Sequence, residues 1–209
     1  MAGLPSPMVL TKLFVANRIR MSQLFVLLIV GLLAVSESHW ERTFMDAVLF
    51  LVGAVLVGAA TMGRLWCSLY IAGYKDGTLI TVGPYSISRN PLYFFSFVGA
   101  VGVGLATETF TFGVLFALWF ALFYPAVIRT EERRLRELHG ARFDDYARRV
   151  PRFLPRFSLL VEPEHYTVRP VHFRNHLLDA LWFVWGLGLV ELIEAVHMYQ
   201  LLPTLVFWY

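Results

Sequence analysis

The chain has 209 residues, 57% of them apolar and 16% charged, against about 45–50% and about 25% in soluble domains. That composition excludes a soluble globular domain and predicts an all-α integral membrane protein, since helices satisfy their own backbone in lipid. The net charge of +3 comes from basic residues that flank apolar segments, which favours an anionic membrane surface over nucleic acid, and the single Cys67 excludes an internal disulfide or a cysteine-based zinc site.

In chain order, residues 1–20 place Leu10, Leu13 and Phe14 opposite Lys12, Arg18 and Arg20, the pattern of an interfacial helix. The apolar run after Arg20 lacks a small-residue cleavage site, so it reads as a first span rather than a cleaved signal. Residues 21–62 then hold two spans joined by a polar turn at 36–42, the second carrying Gly53, Gly58, Ala59 and Ala60 for close helix approach. Residues 63–90 form a connector rich in aromatic and basic residues, with a turn signal at Asp76-Gly77. Residues 91–128 make a close antiparallel helical hairpin, because Thr107-Glu108-Thr109 is too short for anything but a tight turn.

Residues 129–176 are arginine-rich and polar, with one amphipathic helix ending at His139-Gly140, a second from Phe143 to about Arg149, and a stop at Val150-Pro151. Residues 177–209 are expected to add a further span ending near Leu202, with a partly interfacial helix as the alternative, for about five spans in one membrane domain with a helical C-terminal segment in the cytoplasm. With the N-terminus inside, seventeen of the eighteen basic residues fall on the cytoplasmic side, leaving Arg42 outside, as the positive-inside rule requires.

Two polar clusters meet at the cytoplasmic mouth of the hairpin. Gly83-Pro84-Tyr85-Ser86-Ile87-Ser88-Arg89-Asn90-Pro91-Leu92-Tyr93 opens it, with Pro91 placed for a first helical turn, and Arg129-Thr130-Glu131-Glu132 follows its second helix. Taken alone, the second cluster is an ordinary anchor of snorkelling arginines. Polar groups gathered at both ends of one hairpin instead mark a functional site.

The order Gly-Pro-Tyr-x-x-x-Arg-Asn-Pro-x-Tyr, hairpin, Glu131-Glu132, then Tyr146 and Val150-Pro151 resembles the isoprenylcysteine carboxyl methyltransferase family and the related membrane phospholipid and thiol methyltransferases, over about residues 60–156. That resemblance implies S-adenosylmethionine as methyl donor in a cytoplasm-facing pocket, and an acceptor that is a lipophilic small molecule or a lipid-modified group. It implies cofactor contacts from Tyr85, Arg89, Asn90, Tyr93, Glu131, Glu132 and Tyr146, with Arg129 and Glu132 as catalytic candidates. In physical terms, a glutamate neutralises the donor's ammonium, Arg89 grips its carboxylate, and tyrosine faces attend the sulfonium. Asn90 stands where the family signature most often has histidine; an amide still hydrogen-bonds but cannot serve as a base near neutrality.

Two other readings compete. A sterol-type membrane reductase using NADPH shares Arg-His-Pro and Tyr-x-x-Tyr elements, although this chain is short for that class. A non-catalytic membrane protein would bind anionic lipid through the arginine-rich segment. The four-residue spacing of His172 and His176 suits a metal only on a helix with a third ligand nearby, whereas they are expected in a basic loop, so no metal is expected, and Gly99, Gly102 and Gly104 lie inside an apolar helix rather than after a strand.

Overall fold

The computed structural model describes residues 7–40, 43–74 and 77–209, with side chains from residue 20 onward. It is mostly helical. The elements are α1 (Pro7–Leu33), β1 (Ser36–Ser38), α2 (Phe44–Ile71), α3 (Pro84–Ile87), α4 (Pro91–Leu105), α5 (Phe110–His139), α6 (Ala141–Arg149), a 3-10 turn (Phe157–Leu159), α7 (Pro170–Ala180), α8 (Trp182–Met198) and β2 (Val206–Trp208).

Among the described residues, three helices are long and apolar enough to cross a bilayer: Phe44–Ile71, Phe110–His139 and Pro170–Met198, the last taken through its irregularity at Leu181. Arg20–Leu33 and Pro91–Leu105 are apolar but shorter. A spanning helix needs about 20 residues, so the 28 residues of α2 and the 30 of α5 exceed that need and project polar turns beyond it. The chain is a multi-pass membrane protein, and its exposed leucines, valines and phenylalanines on α2 and α5 are the surface that lipid covers.

Several boundaries differ from those expected. No break separates an interfacial helix from the first span: α1 runs unbroken from Pro7 through Arg20 to Leu33. The amphipathic face expected of residues 1–20, Arg42 and the Asp76 turn signal lie outside the described residues and side chains. The second span likewise continues as helix past Met62 to Ile71. α5 carries Pro125 inside it and still reaches His139, so the 129–132 cluster is a direct extension of the hairpin's second helix. The last helix begins at Pro170, earlier than residue 177, because proline fits the first turn of a helix.

Local chemistry sets the helix ends. Thr43 accepts from the Met45 amide at 3.2 Å and Thr109 from the Phe112 amide at 3.4 Å, capping α2 and α5. α4 returns to α5 through the expected turn, with Glu108 at φ +59. α2 packs closely along α4: a Cβ at Gly53 would lie 2.5 Å from the Ala106 amide nitrogen, and one at Gly102 would lie 2.9 Å from the Gly53 carbonyl oxygen.

The two ends of the bundle are built differently. At the end of the α4–α5 turn, β1 pairs in parallel with β2, Ser36 opposite Val206, and the Thr111 amide donates to the Tyr209 carbonyl at 2.9 Å. A cavity of about 410 Å³ there is lined by Glu37, Asp46, Glu194 and His197 among others. At the opposite end, α3, α6, α7 and an extended strap over residues 150–169 gather around the start of α4 and the far half of α5.

Candidate functional site

Gly83 sets the entry to the site. Its φ of +58 is a conformation other residues rarely adopt, and a Cβ there would lie 2.4 Å from the Tyr70 ring. From this turn α3 begins, and the strap zips onto it. The Gly83 amide donates to Val161 O at 2.8 Å, and the Val161 amide donates back to Ser86 Oγ at 2.9 Å. Ser88 Oγ donates to Phe153 O at 2.9 Å, the Arg89 amide to Pro151 O at 2.9 Å, and the Arg156 amide to Ile87 O at 2.9 Å. Phe153 then seats its ring among Phe94, Phe97 and Phe120, which fastens the strap to the α4–α5 hairpin.

Beneath the strap lies a buried carboxylate. Glu132 of α5 has a side chain 7% exposed, with Arg89 Nε 2.9 Å from its Oε1. Asn90 Nδ2 donates to the same oxygen at 3.2 Å, and Arg152 Nε donates to Oε2 at 3.0 Å. Asn90 Nδ2 also donates to Arg152 O at 2.9 Å, and Arg89 Nη1 to Ala147 O at 2.6 Å. The buried carboxylate is hydrogen-bonded by Asn90 from the loop and Arg152 from the strap, with Arg89 Nε close by as a counter-charge without hydrogen-bond geometry and Arg89 itself tied to α6 through Ala147 O.

In front of this cluster opens a cavity of about 490 Å³, within the range of small-molecule sites. Tyr85, Arg89, Asn90, Tyr93, Glu131 and Tyr146 line it, joined by apolar side chains such as Ile80, Leu92 and Leu135. Glu132 stands behind that wall, engaged with protein groups, and Arg129 lies on the exposed side of α5, away from the lining. Tyr146 donates its hydroxyl to Tyr85 O at 2.6 Å. Burial pushes both phenols well up from their ordinary range, and in Tyr146 nearby Arg89 partly opposes that shift. The Tyr85 hydroxyl is buried without a protein hydrogen-bond partner.

These residues fit S-adenosylmethionine. The space is adequate, Glu131 supplies an anion for the ammonium, and Tyr85, Tyr93 and Tyr146 among the lining are aromatic side chains of the kind that favour a cation. Sequence reasoning did not assign Arg152 as the second cation on Glu132, nor His172 and His176 as lining residues that α7 brings to the cavity. The signal for the histidines was their spacing, which also suits a metal pair. Among the described residues, no group of three or more His, Cys, Asp or Glu is placed to hold a metal ion.

The phospholipid methyltransferase family matches this chain over residues 42–142. Over 202 residues it is 43% identical to the nickel-cobalt-cadmium resistance protein NccN of Alcaligenes xylosoxydans xylosoxydans, covering 97% of this chain and 93% of that protein. The chain belongs to the phospholipid methyltransferase family. It is also 40% identical to the cobalt-zinc-cadmium resistance protein CzcN of Cupriavidus metallidurans, over 88% of this chain and 83% of that one. The likeness to isoprenylcysteine methyltransferases is more distant: 30% identity to a probable protein-S-isoprenylcysteine O-methyltransferase of Oryza sativa subsp. indica, over 57% of this chain and 64% of that protein. No solved structure matches the chain. The family match takes in 83–93 and 129–132 but ends before Tyr146, the strap and α7.

Proposed function

We propose that this family member is an S-adenosylmethionine-dependent membrane methyltransferase whose acceptor is lipophilic and reaches the cavity from the bilayer: an isoprenylcysteine-like carboxylate, a lipid amine or a thiol. The observation that carries this reading is the cavity where Tyr85, Arg89, Asn90, Tyr93, Glu131 and Tyr146 converge, at the mouth of the family's hairpin. When bound, S-adenosylmethionine supplies an electrophilic methyl group. Glu131 would neutralise its ammonium, Arg89 would attract its carboxylate, and Tyr93 and Tyr146 would offer aromatic faces to its sulfonium. The Glu132 cluster is a positioning device: it holds Arg89 and Asn90 in place from behind, which matters because in-line displacement depends chiefly on alignment. The cavity end faces the cytoplasm in this reading, following the positive-inside rule.

The names of NccN and CzcN connect those proteins with metal resistance. Methylating a thiol replaces a thiolate ligand by a weaker thioether, and carrying an amine to the quaternary ammonium removes its lone pair, so the two descriptions are chemically compatible.

Calorimetry on the purified protein tests the reading: saturable binding of S-adenosylmethionine is expected, weakened at least tenfold in Glu131→Ala, since a lost charge-assisted contact costs about 1.5–3 kcal/mol. Absence of saturable binding, together with no transfer of labelled methyl to any membrane-extract fraction, would sink it.

A further inference from the structure

α7 brings two imidazoles to the wall of the cavity. His172 and His176 are four residues apart, hence on one face of the helix, and both line the cavity with Tyr85, Asn90 and Glu131. This wall is firmly docked on the end of α2. Arg169 Nη1 donates to Gly73 O at 2.7 Å, Tyr74 donates its hydroxyl to Thr167 O at 3.0 Å, and Arg64 Nη2 donates to Asp179 O at 3.3 Å. The His172 ring sits against Gly73, where a Cβ would come within 3.0 Å of its Cδ2. His176 Nδ1 lies 3.6 Å from Asp179 Oδ2, beyond hydrogen-bond distance but close enough for the carboxylate to attract a charged imidazole.

We propose that His176, a lining residue of the cavity with Asp179 close by, is the acceptor-side base, and that the acceptor is therefore a nucleophile with a proton to lose, an amine or a thiol rather than a carboxylate. The inference rests on the methyltransferase reading above. A carboxylate acceptor is already ionised near neutrality and needs no base, whereas amines and thiols are mostly protonated there. An imidazole in the wall of the cavity is a group able to take that proton. In the step, the N–H or S–H proton passes to His176 Nε2 and the freed electron pair bonds to the methyl carbon. The C–S bond of the sulfonium breaks, its pair returning to sulfur, and a neutral thioether leaves. The imidazolium then releases its proton to water, which its 43% exposed side chain permits.

The groups facing the pair from its own helix and from α2 are Arg169, Asp179, Tyr74 and Arg64. From the other walls they are Tyr85, Arg89 and Tyr93, Glu131, and Tyr146. Burial moves the Tyr85 and Tyr146 phenols above their ordinary range, and because an amine or thiol acceptor also loses a proton as pH rises, a limb in the rate is assigned to His176 only where H176Q removes it with the acceptor unchanged.

The experiment uses the full chain in detergent with S-adenosylmethionine and three probe acceptors of matched alkyl length: an amine, a thiol and a carboxylate. The amine or the thiol is expected to be methylated, with a rate that rises through neutral pH. H176Q should lower that rate about 100-fold and flatten the rise while leaving S-adenosylmethionine affinity by calorimetry unchanged. D179N should move the pH profile with a smaller loss of rate. Independently of turnover, carbethoxylation of His176 by diethyl pyrocarbonate, read by mass spectrometry, should slow when donor and acceptor are both bound. Preferential methylation of the carboxylate, or an H176Q profile that matches wild type, overturns the inference and leaves the methyltransferase reading intact. A wild-type chain that binds no S-adenosylmethionine overturns both.

Discussion

Asn90 Nδ2 donates to Glu132 Oε1 at 3.2 Å, joining the loop before α4 to a carboxylate 42 residues further along the chain. The same amide reaches Arg152 O at 2.9 Å, so one side chain ties together the hairpin's two helices and the strap. Glu132 is thereby shared among Asn90, Arg89 and Arg152, and its removal should be felt at all three.

Glu132→Ala leaves the Arg89 guanidinium, 11% exposed, without its counter-ion and Asn90 without one of its acceptors. Breaking a buried pair from one side typically costs about 3–5 kcal/mol. Thermal unfolding in detergent should show that loss, while Arg152→Ala, whose side chain is 56% exposed, should cost about 1 kcal/mol or less. Equal effects from the two substitutions would contradict the asymmetry of burial.

Asn90→Asp places a second carboxylate against Glu132 Oε1, where the present separation is 3.2 Å. Like charges at that distance favour protonation of one of them in the folded state, raising its pKa above the unfolded value. The variant should therefore be least stable at neutral and alkaline pH and should recover toward wild type as the solution is acidified. Chemical denaturation from neutral pH downward measures this, and a variant penalty that does not shrink with acidification would refute it.

The Tyr146 phenol is held above its ordinary range by burial, with its hydroxyl donated to Tyr85 O at 2.6 Å. A group whose folded pKa is raised contributes stability that is present below its unfolded value and is lost as pH rises past it, about 10 for tyrosine. Stability should thus decline above about pH 10. Tyr146→Phe should lose about 0.5–1.5 kcal/mol at neutral pH from the missing hydrogen bond and show a shallower alkaline decline. Tyrosinate absorbance followed alongside unfolding checks both.

Gly53→Ala puts a methyl 2.5 Å from the Ala106 backbone nitrogen, and backbone cannot move aside as a flexible side chain would. Gly58 has nothing within 4 Å of the same atom. The first substitution should destabilise the α2–α4 contact by about 1–3 kcal/mol, and the second should be neutral or slightly stabilising. Paired melting temperatures of the two variants decide the point.

Much of this architecture was legible in the residues. Composition alone placed the chain in a membrane, and Thr107-Glu108-Thr109 forced α4 and α5 into a hairpin, bringing residues 83–93 and 129–132 to one end. Pro91 and the His139-Gly140 stop marked helix ends through local chemistry, which short-range patterns report well. Helix continuity was harder to read: α1, α2 and α5 carry their hydrogen bonding straight through stretches where polarity changes. A shift in composition marks where solvent or lipid lies, and the backbone has no need to break there.

What the sequence by itself determined is the membrane class, the tight hairpin and the identity of the residues at its mouth. The tertiary structure decided which of two adjacent glutamates enters the wall of the cavity and which stands behind it. Consecutive helical residues point about 100° apart, and only packing says which direction is inward. It also laid the strap along α3 through backbone hydrogen bonds such as Gly83 to Val161, which carry no side-chain signature. The same docking placed His172 and His176 beside Tyr85 and Glu131, residues far apart in the chain that meet because α7 is anchored to the end of α2.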